Sequence, residues 1–341
     1  MQATTIGMDV AKRVFQVHGE DAAGNVVLQK RLSRGQLLEF FAGLPPALVG
    51  MEACGSSHHW ARELLALGHQ VRLMPAAYVK PFVKRNKNDA RDAAGICVAL
   101  GRPDMRLVAV KSADQQAWRG VERSRELLVK QRTQLMNSVR GLLAEHGLVA
   151  AQGLRGFHEL AARVREGDAS IPTPLALALA HVLQQIDSLS ASIQALEKQI
   201  VAVAKTDPAM RRLTGIPGIG PLTAHAIVAA AGDGRHFSSA RDFAAWCGLT
   251  PREHSSAGKH RKKGISRQGD KSLRKLFALG ASAHLRIARV KPARLTQWQR
   301  GILARRPVKV AVLAQAAKNA RIAWAVLTSG EPYRRPALTT A

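Results

Sequence analysis

Leu179, Val182, Ile186, Leu189, Ile193, Leu196, Ile200 and Val203 recur at alternating three- and four-residue intervals. That spacing, kept for more than three heptads, predicts an α-helix with a narrow apolar seam of the coiled-coil kind. Such a seam needs a second helix against it. A long polar–apolar pattern from Ser112 to Gly147, interrupted only by Gly120 and Gly141, is the first helical partner the sequence offers. Between the two, "VREGDASIPTP" carries a glycine and two prolines and reads as a turn. The middle of the chain is therefore expected to be a helical hairpin or arm. Its seam faces either its own domain or a second copy of the chain.

The first hundred residues have a different period. "TTIGMDVA" and "RVFQVHGE" read as strands joined tightly enough for a hairpin, and "GNVVLQKRL" as a third strand. "GQLLEFFAGL" then reads as a helix, "PALVGMEA" as a buried strand, "SSHHWARELLALG" as a helix and "HQVRLMPA" as a strand. "KNDARDAAGICVALG" follows as a helix with Gly101 at its end. Three strands in meander, then alternating helices and strands, predict a mixed sheet with helices packed on it.

Charge narrows the possible partners. Among 341 residues, 51 Lys and Arg stand against 24 Asp and Glu, a formal charge of +27. A protein this basic is suited to phosphate, because neutralising a nucleic-acid backbone releases condensed counterions. A hydrophobic content of 46% leaves room for sizeable cores and argues against global disorder. No uncharged apolar run approaches the ~20 residues of a membrane span, so no membrane partner is expected. "MQATTIGMDVAKRVF" has Asp9 and Lys12 where a secretory leader needs an apolar stretch. Cys54, Cys97 and Cys247 are odd in number and far apart. They fit a reducing compartment and no zinc spacing. An aromatic content of 4% argues against heavy reliance on base-stacking platforms.

Against this basic background a few carboxylates stand out. Asp9 follows "TIGM" on the first strand, and Glu52 ends the strand "ALVGME". Asp89 and Asp92 are three apart, so a helix places both on one face. Four carboxylates brought together repel one another unless a cation neutralises them. Hard oxygen ligands of this kind suit Mg²⁺ or Mn²⁺. Two such ions about 4 Å apart stabilise the attacking and leaving oxygens of a phosphodiester displacement. On this strand pattern the four look like an RNase H-type metal site. Taken singly, each also reads as a cap, a turn residue or half of an ion pair.

The third region begins near Pro208. "GIPGIG", Gly215 to Gly220, leads into the apolar helix "PLTAHAIVAAAG" and is similar to a helix-hairpin-helix element. Its Gly218 and Gly220 would let backbone N–H groups approach a phosphate. "SSARDFAAWCGLTP" reads as a capped helix ending at glycine, and "SLRKLFALGASAHLRIA" and "KVAVLAQAAKNARIAWAVL" as further helices. Between them, "HSSAGKHRKKGISRQGDKSLRK" places Ser255 and Ser256 ahead of Lys259, Arg261, Lys262, Lys263, Arg267 and Lys271. Serine is a poor nucleophile unless activated or oriented, and clustered cations stabilise charge on an attacked phosphate. A solvated basic loop is the plainer reading of the same letters.

Several of these blocks occur together in a known order. "GMDVAKRVFQVHG", "VGMEACGSSHHWARELLALGHQVRLMPA" and "NDARDAAGI" are followed by "LTGIPGIGPLTAHAI", "FAAWCGLTPREHSSAGK" and "GISRQGDKSLRKLF". In this order they resemble the DEDD transposases of the insertion-sequence-110 family, within it the branch with a Ser-Ser-Gly-Gly-Lys pattern. The resemblance spans nearly the whole chain. It implies that Asp9, Glu52, Asp89 and Asp92 are the metal-binding set of a RuvC-like domain. It also implies that Ser256, chosen by its distance to Ile265, is the nucleophile, with Ser255 as its neighbour and alternative. This chain has Ala257 where the branch usually has glycine, and "SRQGD" where "SKRGD" is common. The family's activity is cutting and rejoining DNA to move an insertion element, through a phosphoserine link. Some members choose donor and target DNA with a structured RNA from the element's own non-coding end. In such systems base pairing specifies sequence while protein holds backbones. The composite site joins carboxylates of one subunit to the serine domain of another, so a dimer or tetramer is implied. The implied setting is the bacterial cytoplasm, at the nucleoid.

The expected layout is a RuvC-like α/β domain over residues 1–110, a helical coiled-coil arm over 111–207, and a mostly helical serine domain over 208–335. Two other functions fit the composition. One is a junction-resolving nuclease that activates water with the same acids. The other is a nucleic-acid binding protein whose acids are only caps and salt bridges.

Overall fold

The computed structural model describes residues 2–83, 89–255, 261–290 and 295–334. Two compact units divide the chain, Met1–Gln116 and Ala117–Ala341. In the first, β1 (Thr5–Val10), β2 (Val14–Glu20) and β3 (Val26–Ser33) form an antiparallel meander. β4 (Leu48–Glu52) and β5 (Gln70–Met74) add to β1 in parallel, giving the order β3-β2-β1-β4-β5. The connections carry α1 (Leu37–Ala42), α2 (Ser57–Ala66), α3 (Ala76–Val79) and α4 (Asp89–Leu100). This is the mixed α/β sheet expected, and it is consistent with a RuvC-like domain.

Strand alternation sorts the side chains. Ile6, Met8, Phe15, Val17, Leu32, Val49 and Met51 point to one face and bury against Leu37 and Phe41 of α1 and Trp60 and Leu64 of α2. Each such side chain contributes about 1.5–3 kcal/mol. The Phe15 and Trp60 rings meet edge to face at 5.1 Å, adding roughly 0.5–1.5 kcal/mol. The opposite face is covered by α4, whose Ile96, Ala99 and Leu100 pack with Met74 and Val79.

The second unit opens with most of α5 (Ala113–Ala144), followed by α6 (Leu154–Arg165) and α7 (Thr173–Thr206). α5 and α7 run antiparallel: Arg125 pairs with Glu197, Arg132 donates to Ser190 at 3.4 Å, and Val139 and Leu143 share a core with Leu179 and Leu183. Thus the seam meets helices of its own chain. Leu179, Ile186, Leu189, Ile193 and Ile200 are buried as spaced, but Leu196 is only partly buried, and Leu183 and Ala204 are buried in place of Val182 and Val203. A straight helix turns every 3.6 residues, so a strict 3.5 pattern drifts off its contact line. The turn expected before α7 is present, but the segment leading into it is α6, which the sequence reading did not separate. Its Phe157, Leu160, Ala161 and Val164 have the helical spacing of a buried face.

Beyond the arm lie α8 (Pro208–Thr214), α9 (Pro221–Ala231), α10 (Ala240–Trp246), β6 (Pro251–Glu253), β7 (Lys262–Ile265), α11 (Lys271–Val290), α12 (Gln297–Arg305) and α13 (Val308–Ser329). Caps set several starts: Asp207 accepts from Met210, Ser239 from Asp242, and Thr296 and Gln299 form a capping box. Leu213, Ile227, Phe243, Phe277, Ala316 and Ala320 sit at the centre of the core these helices share. The region is mostly helical, with β6 and β7 as an antiparallel pair. Among the described residues no helix is long and apolar enough to cross a membrane.

Candidate active site

The two parallel strands at the middle of the sheet carry the same triplet, Gly-Met-acid. Gly7-Met8-Asp9 on β1 lies beside Gly50-Met51-Glu52 on β4, with Gly7 opposite Gly50 and Met8 opposite Met51. The methionines are fully buried on the α1/α2 face. The glycines face α4, which rests almost directly on the backbone. A Cβ at Gly7 would stand 2.1 Å from the Ala93 carbonyl oxygen, and one at Gly50 2.5 Å from Leu100 Cγ. A side chain at Gly7 would push against the helix backbone, and one at Gly50 would displace the Leu100 side chain. Two residues on, the same face of each strand presents an acid, Asp9 and Glu52. α4 brings Asp89 and Asp92 in its first turn to the same end.

The result is convergence. Asp9, Asp89 and Asp92 each offer a carboxylate oxygen within 4.8 Å of the other two. Glu52 stands outside this trio but close enough for its charge to act on Asp9. Burial, then the charges of Asp92, Asp89 and Glu52, push the Asp9 carboxyl up from 3.8 to about 6. Like charges held this close are relieved by a proton, as at Asp9, or by a cation. An all-oxygen donor set fits a hard divalent ion rather than a soft one. The chemistry of the donors therefore fits a divalent metal, with Asp9, Asp89 and Asp92 as ligands and Glu52 beside them.

Two local features follow Glu52. Ser56 adopts a left-handed backbone (φ 69°) ahead of α2, a conformation that costs a non-glycine residue about 1–3 kcal/mol. Cys54 is exposed, and burial of its sulfur together with the charges of Asp9 and Glu52 raises its thiol pKa. It is therefore held as a thiol rather than a thiolate.

The serine segment connects β6 to β7. Ser255 donates to Glu253 Oε1 at 3.0 Å and accepts from the Arg261 N–H at 3.4 Å. Ser256 and Lys259 lie outside the described residues. Arg261, Lys263, Arg267 and Lys271 are exposed, and Lys262 opens β7. The turn after β7 is tightly seated: Arg267 is left-handed (φ 58°) and donates its N–H to Gly248. A Cβ at Gly248 would meet the Gln268 carbonyl oxygen at 2.1 Å, and one at Gly269 the Trp246 oxygen at 1.8 Å.

Asp270, the last residue of that turn, anchors a chain of charges that sequence reasoning missed. Its Oδ1 accepts from Leu273 N–H at the start of α11, and its Oδ2 pairs with Arg119 at 2.7 Å. Arg119 also pairs with Glu122 at 2.8 Å, and Glu122 meets the fully buried His225 at 2.7 Å. Trp118 packs edge-on to that imidazole. Arg119 and Glu122 stand on α5, remote in sequence from both partners, so no local pattern betrays the link.

Of the loop glycines, Gly218 has φ 90°, and a Cβ there would lie 2.8 Å from the Gly280 carbonyl oxygen of α11. Its requirement for glycine is met by packing. Gly220 is exposed at the N-cap of α9 with open space around it.

Comparison with known proteins supplies the family. A DEDD transposase profile of the IS110 type matches residues 6–147, and the Transposase IS116/IS110/IS902 family profile matches residues 210–298. A probable family 20 transposase of Pseudomonas aeruginosa is 47% identical over 98% of this chain and 99% of its own length. The transposase for insertion sequence element IS1328 of Yersinia enterocolitica is 39% identical over 97% of this chain and 99% of its own. That for IS1111A of Coxiella burnetii is 39% identical over 96% and 91%. With acids converging in the first matched segment and relatives aligned end to end, the chain belongs to the IS110/IS116/IS902 family of insertion-sequence transposases.

Proposed function

We propose that this transposase cuts and rejoins the ends of its own insertion element through a serine–DNA link, with a structured RNA choosing the partner sequences. Transposases of this family catalyse DNA cleavage and strand transfer; the finer mechanism is our reading. The observation that carries it is the convergence of Asp9, Asp89 and Asp92 within 4.8 Å. Together with Glu52 they would hold Mg²⁺ or Mn²⁺. When bound, the ions supply charge stabilisation at the phosphate under attack.

The chain's own residues have separate tasks in this scheme. Ser256 Oγ attacks phosphorus, a sugar oxygen leaves and takes up a proton, and a phosphoserine ester remains. Attack by a sugar hydroxyl of a second strand re-forms a phosphodiester and returns the proton to serine. The sum of bonds is unchanged, so no energy source is required. Lys259, Arg261, Lys262, Lys263, Arg267 and Lys271 clamp the phosphates beside the serine. Gly220, with Gly218 shaping the loop, offers backbone N–H groups to a duplex. The seam residues left half-exposed on α7 favour a homo-oligomer, dimer or tetramer, in which the serine of one copy serves the acids of another. The domain limits 1–110, 111–207 and 208–335 remain our assignment. The excess of positive charge, without an aromatic platform, favours a guide RNA held by its backbone.

The test is an adduct. The protein is incubated with Mg²⁺, element-end DNA and the RNA flanking the gene. A covalent protein–DNA species that is lost in Ser256→Ala and kept in Ser255→Ala supports the proposal. Cleavage that survives Ser256→Ala without an adduct would replace it with a metal-activated water nuclease. No cleavage under any metal or RNA condition would leave only binding.

A further inference from the structure

We propose that Gln16, Gln29 and Arg31 form a binding site for one backbone phosphate of the DNA strand being cut, adjoining the carboxylate cluster. This rests on the metal-dependent cleavage proposed above. The register of the meander places the residues. Asp9 on β1 is opposite Gln16 on β2, and Gln16 is opposite Arg31 on the edge strand β3. Residues opposite one another in a sheet share a face and sit ~5 Å apart. Arg31 is thus about 10 Å from Asp9, backbone to backbone, on the α4 side of the sheet. Its neighbour Lys30 points the other way, with Nζ over the Phe40 ring at 4.8 Å, as alternation requires.

α4 covers β1 and β2 and leaves the outer part of this face open. Gln29 and Arg31 are exposed there. They border a pocket of about 190 Å³ lined by Gln16, Val17, His18, Gln29, Lys30, Arg31 and Ala90, with the Lys30 ammonium itself turned away over Phe40. Ala90 directly follows Asp89, so the pocket begins where the acid cluster ends. At its far end His18 is held by Glu20 at 3.3 Å. Arg31 has no carboxylate partner among the described residues. The pocket is smaller than the ~300 Å³ of an ordinary small-molecule site, which suits a single group rather than a nucleotide. A guanidinium fork flanked by two amides is a donor set for phosphate oxygens. A phosphate seated here would fix the position of the strand over Asp9, Asp89 and Asp92. Arg31 and Gln16 are therefore positioning residues for the cut.

The test combines Arg31→Ala and Arg31→Lys with an element-end duplex carrying one neutral methylphosphonate at each position near the cut. Binding is read by fluorescence anisotropy in Ca²⁺, and cleavage in Mg²⁺ and Mn²⁺. Arg31 is exposed on an edge strand, so both variants are expected to melt with the parent. In the parent, one methylphosphonate next to the cut should weaken binding roughly tenfold or more, the size of one charge-assisted hydrogen bond. In Arg31→Ala the same substitution should cost nothing further, and the salt slope should fall by about one. Arg31→Lys should keep the slope and lose the position-specific effect. A penalty that persists unchanged in Arg31→Ala, or the absence of any position-specific penalty in the parent, overturns the assignment. If the parent never cuts the duplex while Arg31→Ala still abolishes the penalty at one phosphate, the metal-dependent cleavage fails and the phosphate site stands.

Discussion

Replacing Asp9 by Asn should make the metal-free protein more stable. The Asp9 carboxyl is raised from 3.8 to about 6 by burial and by Asp92, Asp89 and Glu52. The folded state therefore holds this proton more tightly than the unfolded chain does. It follows that stability is lost as pH rises from about 4 through 6, and the penalty is constant above that. A rise of about two pH units, at ~1.36 kcal/mol each, bounds the penalty near ~3 kcal/mol. Asp9 is half-buried, so solvent screening reduces this to about 1–2 kcal/mol. Asp9→Asn removes the charge and should recover that amount at pH 8 in EDTA, with the advantage shrinking to nothing near pH 4. Mn²⁺ should reverse the order, because a ligand that binds the folded state stabilises it by mass action, and only the parent keeps the full donor set. Amide hydrogen exchange in β1 and β4 across this pH range reports the first unit by itself. An Asp9→Asn protein less stable than the parent at pH 8 in EDTA, or a difference that does not change with pH, would refute the reasoning.

Two further substitutions probe the scaffold. Gly7→Ala would drive a methyl group to 2.1 Å from the Ala93 carbonyl oxygen. Lifting α4 should cost ~2–3 kcal/mol and abolish metal-dependent cleavage while leaving non-specific DNA binding intact, as measured by melting and gel shift. Arg119→Ala would leave Glu122 and Asp270 facing one another at side-chain exposures of 14% and 12%. A loss of ~3 kcal/mol is expected, together with faster proteolysis at the turn before α11; equal melting temperatures would show that the network is incidental.

What could be read from the sequence depended on how local the physics was. Strand alternation and the three-residue spacing of Asp89 and Asp92 involve neighbours only, so the sheet, α4 and the grouping of Asp9 with Asp89 and Asp92 could be read ahead, while Glu52 stands outside that trio. The repeated Gly-Met-acid triplet was also visible in the letters. Its meaning, a helix lying on two glycines, appeared only with α4 in place. The seam on α7 named the helix and the hairpin suggested α5 beside it, but an apolar stripe does not say whether its own chain or a second copy covers it. α6 lay hidden in front of an obvious Gly/Pro turn. The Asp270–Arg119–Glu122–His225 chain joins residues 151 and 103 positions apart, and no sequence period carries such a link. The role given to Ser256 came from family resemblance alone.

The central claim is that α4, seated on Gly7 and Gly50, builds a divalent-metal site from Asp9, Glu52, Asp89 and Asp92. Anomalous diffraction from crystals of the full chain soaked in Mn²⁺ tests it most directly. The account predicts manganese at the ends of β1 and β4, bound by Asp9, Asp89 and Asp92 with Glu52 adjoining, and no peak there in Asp9→Asn. Manganese bound elsewhere on the chain, with these four carboxylates vacant, would contradict it.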